Sequence, residues 1–310
     1  GAQLHDSIFE RAHFEGADLS SADFTNATLV DSYLYGANLQ GAVLTGADLM
    51  GADLRRTDMS KATLFQTNLQ GALLDGAHLN HARMMEADLE SAYLDDADLR
   101  HADLRDAILR GADLRHANLE SAKLAQTDFE GANLEGARLI KASLQSAKMR
   151  MVILYKAVID QADFRDANLH HAVMIGTHGA DAVFTNAALH EIYAPKASLL
   201  RAQFNEATLD SANLVGADLS EANFSQANLT HANLQETKLH GASFAGADLS
   251  GARLDAADIH QANFFGANLA SATGLTQAQL DTACLDNQTR LPTELHRPAP
   301  CAVAKKKASR

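Results

Sequence analysis

A period of five residues restricts the fold of this chain more than any other feature. From residue 4 to residue 269, every fifth position carries Leu, Phe, Met or Ile in 52 of 54 cases, the exceptions being Gly179 and Ala194. Two residues before each of these positions the side chain is small, and 45 of the 54 are Ala. The register does not slip anywhere in this range, so a single repeating unit must account for nearly the whole chain.

Neither an α-helix nor a flat β-strand explains this period. In a helix of 3.6 residues per turn, a step of five rotates the side chain by about 140°, which scatters the leucines around the whole cylinder. In a strand, side chains alternate between two faces, so an odd repeat sends successive leucines to opposite faces. The pattern fits a short extended segment in which Ala and Leu both point inward and the next two residues turn a corner. Each pentad then forms one side of a closed polygon.

The phenylalanines indicate how many sides the polygon has. They recur every 20 residues, and Phe24 belongs to the same column. A coil of four pentads places these rings above one another at the strand spacing of about 4.8 Å. We therefore predict that six of them form the structural core: Phe164, Phe184, Phe204, Phe224, Phe244 and Phe264.

Units of the form A-D-L-x-x, such as Ala47-Asp48-Leu49 and Ala217-Asp218-Leu219, resemble those of the pentapeptide-repeat family. The resemblance covers residues 2 to 272. It implies an all-β fold, a right-handed quadrilateral parallel β-helix of about 13 coils over residues 1–272. In such a solenoid each coil contacts only its neighbours, so both ends need caps.

The two ends of the repeat differ. Residues 273–297 leave the pattern, and Thr276-Gln277-Ala278-Gln279 has the form of a capping box, which predicts a C-terminal cap with a short helix from about 277 to 284. Residues 298–310 contain three consecutive lysines and are expected to form a basic flexible tail. The repeat starts at Gly1 without a capping element. We expect a second copy or another partner to cover this coil, unless the chain is a fragment of a longer protein.

Charge and composition exclude several classes of protein. The net charge of -13 disfavours direct binding of nucleic acid and leaves basic protein partners open. No apolar run approaches the roughly 18 residues of a transmembrane helix. Two cysteines are too few for a disulfide framework. We expect a cytoplasmic protein, with a secreted effector as the alternative.

The repeat is least regular between Arg138 and Thr208, where only Asp163 and Asn168 keep the usual Asp or Asn before the large residue. Outward positions there become apolar on one face of the predicted eighth to tenth coils, which also carries all five tyrosines. A contiguous apolar patch on a polar exterior indicates a protein interface, whereas β-propensity alone would equally admit such residues. The interface hypothesis names Ile153, Tyr155, Val173, Ile175, Tyr193 and Pro195.

Histidines offer the candidates for a metal site. His170 pairs with His190, and His171 with Glu191, at separations of 20 residues, which would bring imidazole and carboxylate ligands together. The alternative is that these are solvated repeat positions, because two other histidine pairs have the same spacing. We expect no resident metal or cofactor, with these four residues as the candidates if one binds.

The sequence predicts a non-enzymatic scaffold for protein–protein interaction. It contains no glycine-rich phosphate loop, nucleophile elbow or zinc-protease motif, and a filled solenoid leaves no cleft for catalysis. Some members of the pentapeptide-repeat family mimic DNA and bind type II topoisomerases, so the resemblance implies a gyrase-binding DNA mimic as the alternative. A further alternative is the repeat domain of a larger secreted effector or membrane-associated protein.

Overall fold

The computed structural model describes residues 1–299. It divides into two compact units, Gly1–Asp163 and Phe164–Arg310. Most of the basic tail predicted at 298–310 lies outside the described residues. The described chain contains one helix, α1 at Gln277–Leu280, and its β-structure consists of single-residue bridges.

The first unit is a stack of coils joined by parallel bridges between residues 20 apart. The four sides of one coil pair in turn through Gln3 with Asp23, Ile8 with Thr28, His13 with Tyr33, and Asp18 with Asn38. The same register continues to the bridge between Ser143 and Asp163. Because a bridge occurs at every fifth residue and the partner lies four pentads away, each coil has four sides.

The second unit repeats this architecture. Its bridges run in the same register from Asn168 with Ala188 to Arg253 with Thr273. The phenylalanine column lies inside it, and all six of the side chains predicted for the core are buried. Successive rings are parallel to within 7°, with centroids 4.8 to 5.0 Å apart, for Phe164, Phe184, Phe204, Phe224, Phe244 and Phe264.

The interior follows the small-then-large order of the pentad. Ala and Leu of the repeat are almost completely buried in both units. Where a hydroxyl replaces Ala, it finds an acceptor: Thr127 donates to the Leu104 carbonyl at 2.8 Å and Ser32 to the Leu29 carbonyl at 2.7 Å. These bonds remove the cost of burying an unpaired polar group. At Ile192 and Ala194 the order is reversed, and both side chains are buried, so the large residue has moved to the neighbouring inward position.

The corners explain the two positions that the repeat leaves polar. From Asp6 to Gly266, every residue whose number ends in 1 or 6 has a φ between 53° and 71°. A backbone bond closes each turn, as from the Ala12 N–H to the Phe9 carbonyl at 3.0 Å. A positive φ at the third residue is the signature of a type II turn. None of these corner residues is Val, Ile or Thr, the side chains least compatible with that conformation.

The C-terminal segment differs from the prediction in two ways. The capping box is formed, because the Thr276 side chain accepts from the Gln279 backbone N–H and the Gln279 side chain accepts from the Thr276 backbone N–H, but α1 ends at Leu280 and not near residue 284. Pairing also continues after the repeat ends, through bridges from Asn263 to Cys284 and from Asn268 to Arg290. The pentad pattern stops because one and two extra residues enter these connections, while the ladder itself persists. Among residues 1–299, no helix has the length and apolarity that crossing a membrane requires.

Candidate functional site

The candidate contact surface lies on one side of the coils, which we call the tyrosine face. It comprises the bridging residues that follow His13 in steps of 20 and the residues two positions after each of them. Within the first unit the bridges run from His13 to Ile153, and within the second from Val173 to Thr273. All five tyrosines belong to it. Of the six predicted interface residues, Ile153 and Tyr155 lie in the first unit and the other four in the second.

In the first unit, the apolar part of this face includes a residue that the sequence pattern did not reveal. Ile153 is 36% exposed, and the neighbouring corner residue Met151 is 55% exposed. Met151 holds a left-handed backbone at a position usually occupied by Gly or a polar residue, and that departure is the signal that could have identified it. Tyr155 is half-buried, and the Lys156 Nζ lies 4.8 Å from the centre of its ring. An ammonium at this distance is attracted to the aromatic face.

In the second unit, the apolar residues lie on adjacent coils in register. Val173 bridges to Tyr193, which is 46% exposed. Ile175 and Pro195, two positions further on, are half-buried. Val215 continues their column by another coil and was also missed by the sequence prediction, because it lies beyond the irregular segment. The structure therefore places all four predicted residues of this unit on one surface.

Polar pairs separate the remaining tyrosines of the first unit. Tyr33 and Tyr35 are each 42% exposed, and the Tyr33 ring stacks on His13 with centroids 4.7 Å apart. On the next coil, Arg55 donates to both carboxylate oxygens of Asp53, at 2.8 and 2.6 Å. This bidentate pair holds the pKa of the Asp53 carboxyl below its usual value. The face thus alternates aromatic and charged bands, a composition typical of interface rims.

The predicted histidine cluster forms in the second unit. The imidazoles of His170, His171 and His190 have centroids 5.6 to 6.4 Å apart. Glu191 lies between two of them, with one oxygen 3.2 Å from the His171 Nδ1 and the other 3.1 Å from the His190 Nε2. Asp210, one coil further, contacts the His190 Nδ1. The sequence prediction omitted Asp210, although its separation of 20 residues from His190 would have revealed it.

The first unit contains a second group of potential ligands. One ligand atom from each of Asp95, Asp96 and His116 can be chosen such that all lie within 4.8 Å of one another. The His116 Nδ1 is 3.0 Å from an oxygen of Asp95, and this hydrogen bond raises the pKa of the imidazole. The group was not predicted, because its members are 20 and 21 residues apart on neighbouring columns. An ion pair at the surface accounts for its geometry.

Arginines neutralise part of the acidic exterior. Arg100, Arg105 and Arg115 each donate to the aspartate two residues before, with shortest distances of 2.6 to 2.7 Å. Arg110 instead contacts Glu90 on the preceding coil at 3.3 Å. The arginine hydrogen bonds are the main cause of the lowered pKa values of Asp98, Asp103 and Asp113. These paired carboxylates do not present an uncompensated line of negative charge.

The C-terminal segment borders a cleft of about 310 Å³, lined by residues 272–275, Pro292, Glu294 and Leu295. Glu294 is the one acidic residue among them, and no basic residue or nucleophile other than the hydroxyl of Thr273 accompanies it. General acid–base chemistry usually requires two titratable groups in reach of one another. The lining of this cleft provides no such pair.

Comparison with known proteins identifies the repeat. A sequence model described as pentapeptide repeats matches residues 1–34, 32–71, 64–100, 82–120, 117–154 and 162–193, and one described as a pentapeptide repeat region matches 194–264. A search of curated proteins gave no match.

Solved structures give a consistent result. The pentapeptide repeat protein HetL from the cyanobacterium Nostoc sp. strain PCC 7120, involved in heterocyst differentiation regulation, is 34% identical over 73% of this chain and 88% of its own, with a TM-score of 0.49. A pentapeptide repeat protein of the Arabidopsis thaliana thylakoid lumen is 30% identical over 34% and 71%, with a TM-score of 0.27. The plasmid-mediated fluoroquinolone resistance protein QnrB1 is 20% identical over 71% and 90%, with a TM-score of 0.32. On its repeats and its sequence matches, this chain belongs to the pentapeptide repeat family.

Proposed function

We propose that this protein is a non-enzymatic scaffold that binds another protein through the tyrosine face. The observation that supports the proposal is the register of exposed apolar residues on that face, with Met151 and Ile153 in the first unit and Tyr193 in the second. Exposed apolar groups cost free energy in water, and burying them in a complex recovers about 25 cal/mol per Å². Tyrosine is enriched at such surfaces because it combines apolar area with a hydrogen-bonding hydroxyl.

Charge favours a partner of different sequence over a second copy. The chain carries a net charge of -13, so two copies repel one another unless their contact surface is locally neutral. A partner with an apolar centre and basic residues around it would fit both the tyrosines and the surrounding carboxylates. We therefore assign the face to a basic-rimmed protein partner, and we treat homodimerisation, including through the N-terminal coil, as an outcome of the test.

The test compares pull-downs made with the wild type, Tyr193→Asp, Ile153→Asp and Met50→Asp. Met50 is 43% exposed but lies outside the tyrosine face, so it controls for the loss of any exposed apolar side chain. We expect one or more proteins that the wild type and the Met50 variant retain and the two face variants lose. Equal retention by all four would overturn the proposal. Sedimentation equilibrium of the same proteins decides whether a second copy occupies the face.

The acidic net charge supports a second candidate, a DNA mimic that binds a type II topoisomerase. Against it, arginines pair with several of the carboxylates, including Asp98 and Asp103. A gyrase supercoiling assay with purified protein separates the two functions. Salt-sensitive inhibition, or protection from a fluoroquinolone, would favour the mimic, whereas the scaffold predicts neither.

A further inference from the structure

The histidine cluster of the second unit has a donor arrangement that hydrogen bonding among its own members cannot satisfy. His190 lies between two carboxylates, with its Nδ1 in contact with Asp210 and its Nε2 3.1 Å from the Glu191 Oε1. A neutral imidazole has one N–H and one lone pair. If the Nδ1–H donates to Asp210, the Nε2 lone pair faces a carboxylate oxygen. A cation between these two acceptors removes the repulsion.

The surrounding groups supply further ligands for such a cation. The second oxygen of Glu191 lies 3.2 Å from the His171 Nδ1. Neighbouring ligand atoms of a tetrahedral ion with bonds of about 2.0 Å are separated by about 3.3 Å, close to both nitrogen–oxygen distances at Glu191. The imidazole of His170 is 5.6 Å from that of His190, between ring centroids.

The spacing of the rings agrees with this coordination. A ring bound through one nitrogen has its centroid about 3.2 Å from the metal, so two tetrahedral histidine ligands have centroids about 5 Å apart. The three centroid distances here are 5.6, 5.8 and 6.4 Å. Binding therefore requires the His171 and His190 rings to rotate toward each other across Glu191, without movement of the coils.

We propose that His171, His190 and Glu191 bind a divalent transition-metal ion of the zinc class. Asp210 then orients His190 through its Nδ1, as a carboxylate does behind many zinc-binding histidines. His170 provides the fourth ligand. Imidazole and carboxylate together suit Zn²⁺, Ni²⁺ or Cu²⁺, whereas Mg²⁺ and Ca²⁺ prefer oxygen alone.

An ion at this position joins three successive coils of the second unit. His170 and His171 belong to one coil, His190 and Glu191 to the next, and Asp210 to the third. A ligand that binds only the folded chain raises its apparent stability by mass action. The melting temperature of the full chain should therefore rise with added Zn²⁺.

The experiment titrates the full chain, without a histidine tag, with Zn²⁺ in a calorimeter and with Co²⁺ in a visible spectrometer. We expect one equivalent of Zn²⁺ and the visible absorption of a tetrahedral Co²⁺ complex. His190→Gln and Glu191→Gln should weaken binding by more than about 100-fold, and Asp210→Asn by about 10- to 100-fold. His240→Gln is the matched control, because His240 also stacks on a histidine one coil away, His260, at 5.3 Å.

Two results would overturn the proposal. One is the absence of saturable Zn²⁺ binding by the wild type. The other is an equal loss of affinity in His190→Gln and His240→Gln, which would show dispersed binding to surface histidines. Because the readout is metal binding alone, the proposal stands or falls independently of the partner assigned to the tyrosine face.

Discussion

The ring of Phe204 lies parallel to that of Phe184, with centroids 4.9 Å apart and planes inclined by 3°. Phe224 lies equally close on its other side, so Phe204 packs against an aromatic ring on each face. The separation of the rings is that of neighbouring coils, which means that the backbone ladder and the aromatic stack share one repeat distance. Removing one ring leaves both neighbours without a partner on one face.

We expect Phe204→Ala to lower the free energy of unfolding by about 3–5 kcal/mol, as other large-to-small changes in well-packed interiors do. Urea unfolding followed by circular dichroism measures the change. Phe265→Ala is the matched control, since Phe265 points outward and is only half-buried. Its cost should be less than half as large, and similar costs for the two variants would contradict the packing of the column.

The corner conformation can be tested at Ala256, which has a φ of 54°. Glycine adopts this region without strain, so Ala256→Gly should stabilise the protein by about 0.5–1 kcal/mol. Ala256→Val should destabilise it, because a β-branched side chain is disfavoured at positive φ. Thermal unfolding of the three proteins should give the order Gly, Ala, Val from most to least stable. The reverse order would show that burial or contacts dominate over backbone strain at this corner.

Acid should weaken the protein through its arginine–aspartate pairs. The hydrogen bond from Arg55 is the largest cause that lowers the pKa of Asp53 from 3.8. Because the folded pKa is the lower one, the stabilisation is fully present above about pH 3.8 and is lost as the pH falls through the folded value. Asp53→Asn and Arg55→Gln should therefore melt below the wild type at pH 7 and approach it near pH 2. A difference that stays constant across this range would rule out the linkage.

The short helix α1 depends on its capping box. Thr276→Ala removes the hydroxyl that accepts from the Gln279 N–H at 3.2 Å, and the loss of such a cap costs about 1 kcal/mol. Hydrogen exchange at Gln279 should accelerate, while exchange in the coils before residue 260 should not change. Thr276→Ser retains the hydroxyl and serves as the control. Unchanged exchange in Thr276→Ala would mean that packing of Leu280, and not the cap, fixes the segment.

The sequence was sufficient to predict the repeat architecture, because the period determines the register of every pentad. Positions such as Tyr193 and Ile153 could be placed on one face by counting in steps of 20. The ends were less predictable. Pairing through Cys284 and Arg290 was missed because insertions break the period that carried the prediction, although the backbone bonds still reach the same ladder.

The candidate sites show a similar division. The interval of 20 residues placed His170 over His190 and His171 over Glu191. It could not reveal which side chains lean across columns, so the contact from His190 to the adjacent Glu191 and the group around His116 appeared only in the structure. Met151 was missed for another reason, since the corner is ordinarily polar and its exposure depends on the left-handed turn.

The corners impose a separation of tasks on the chain. Backbone conformation is set at one residue in five and interior volume at two others, which leaves the bridging residue and the one after the large residue free to vary. Exchanging these outward residues between coils, for example between Tyr193 and Asn213, should move a contact patch along the second unit while leaving its backbone unchanged. The fold is thus a surface on which recognition can be rewritten one coil at a time.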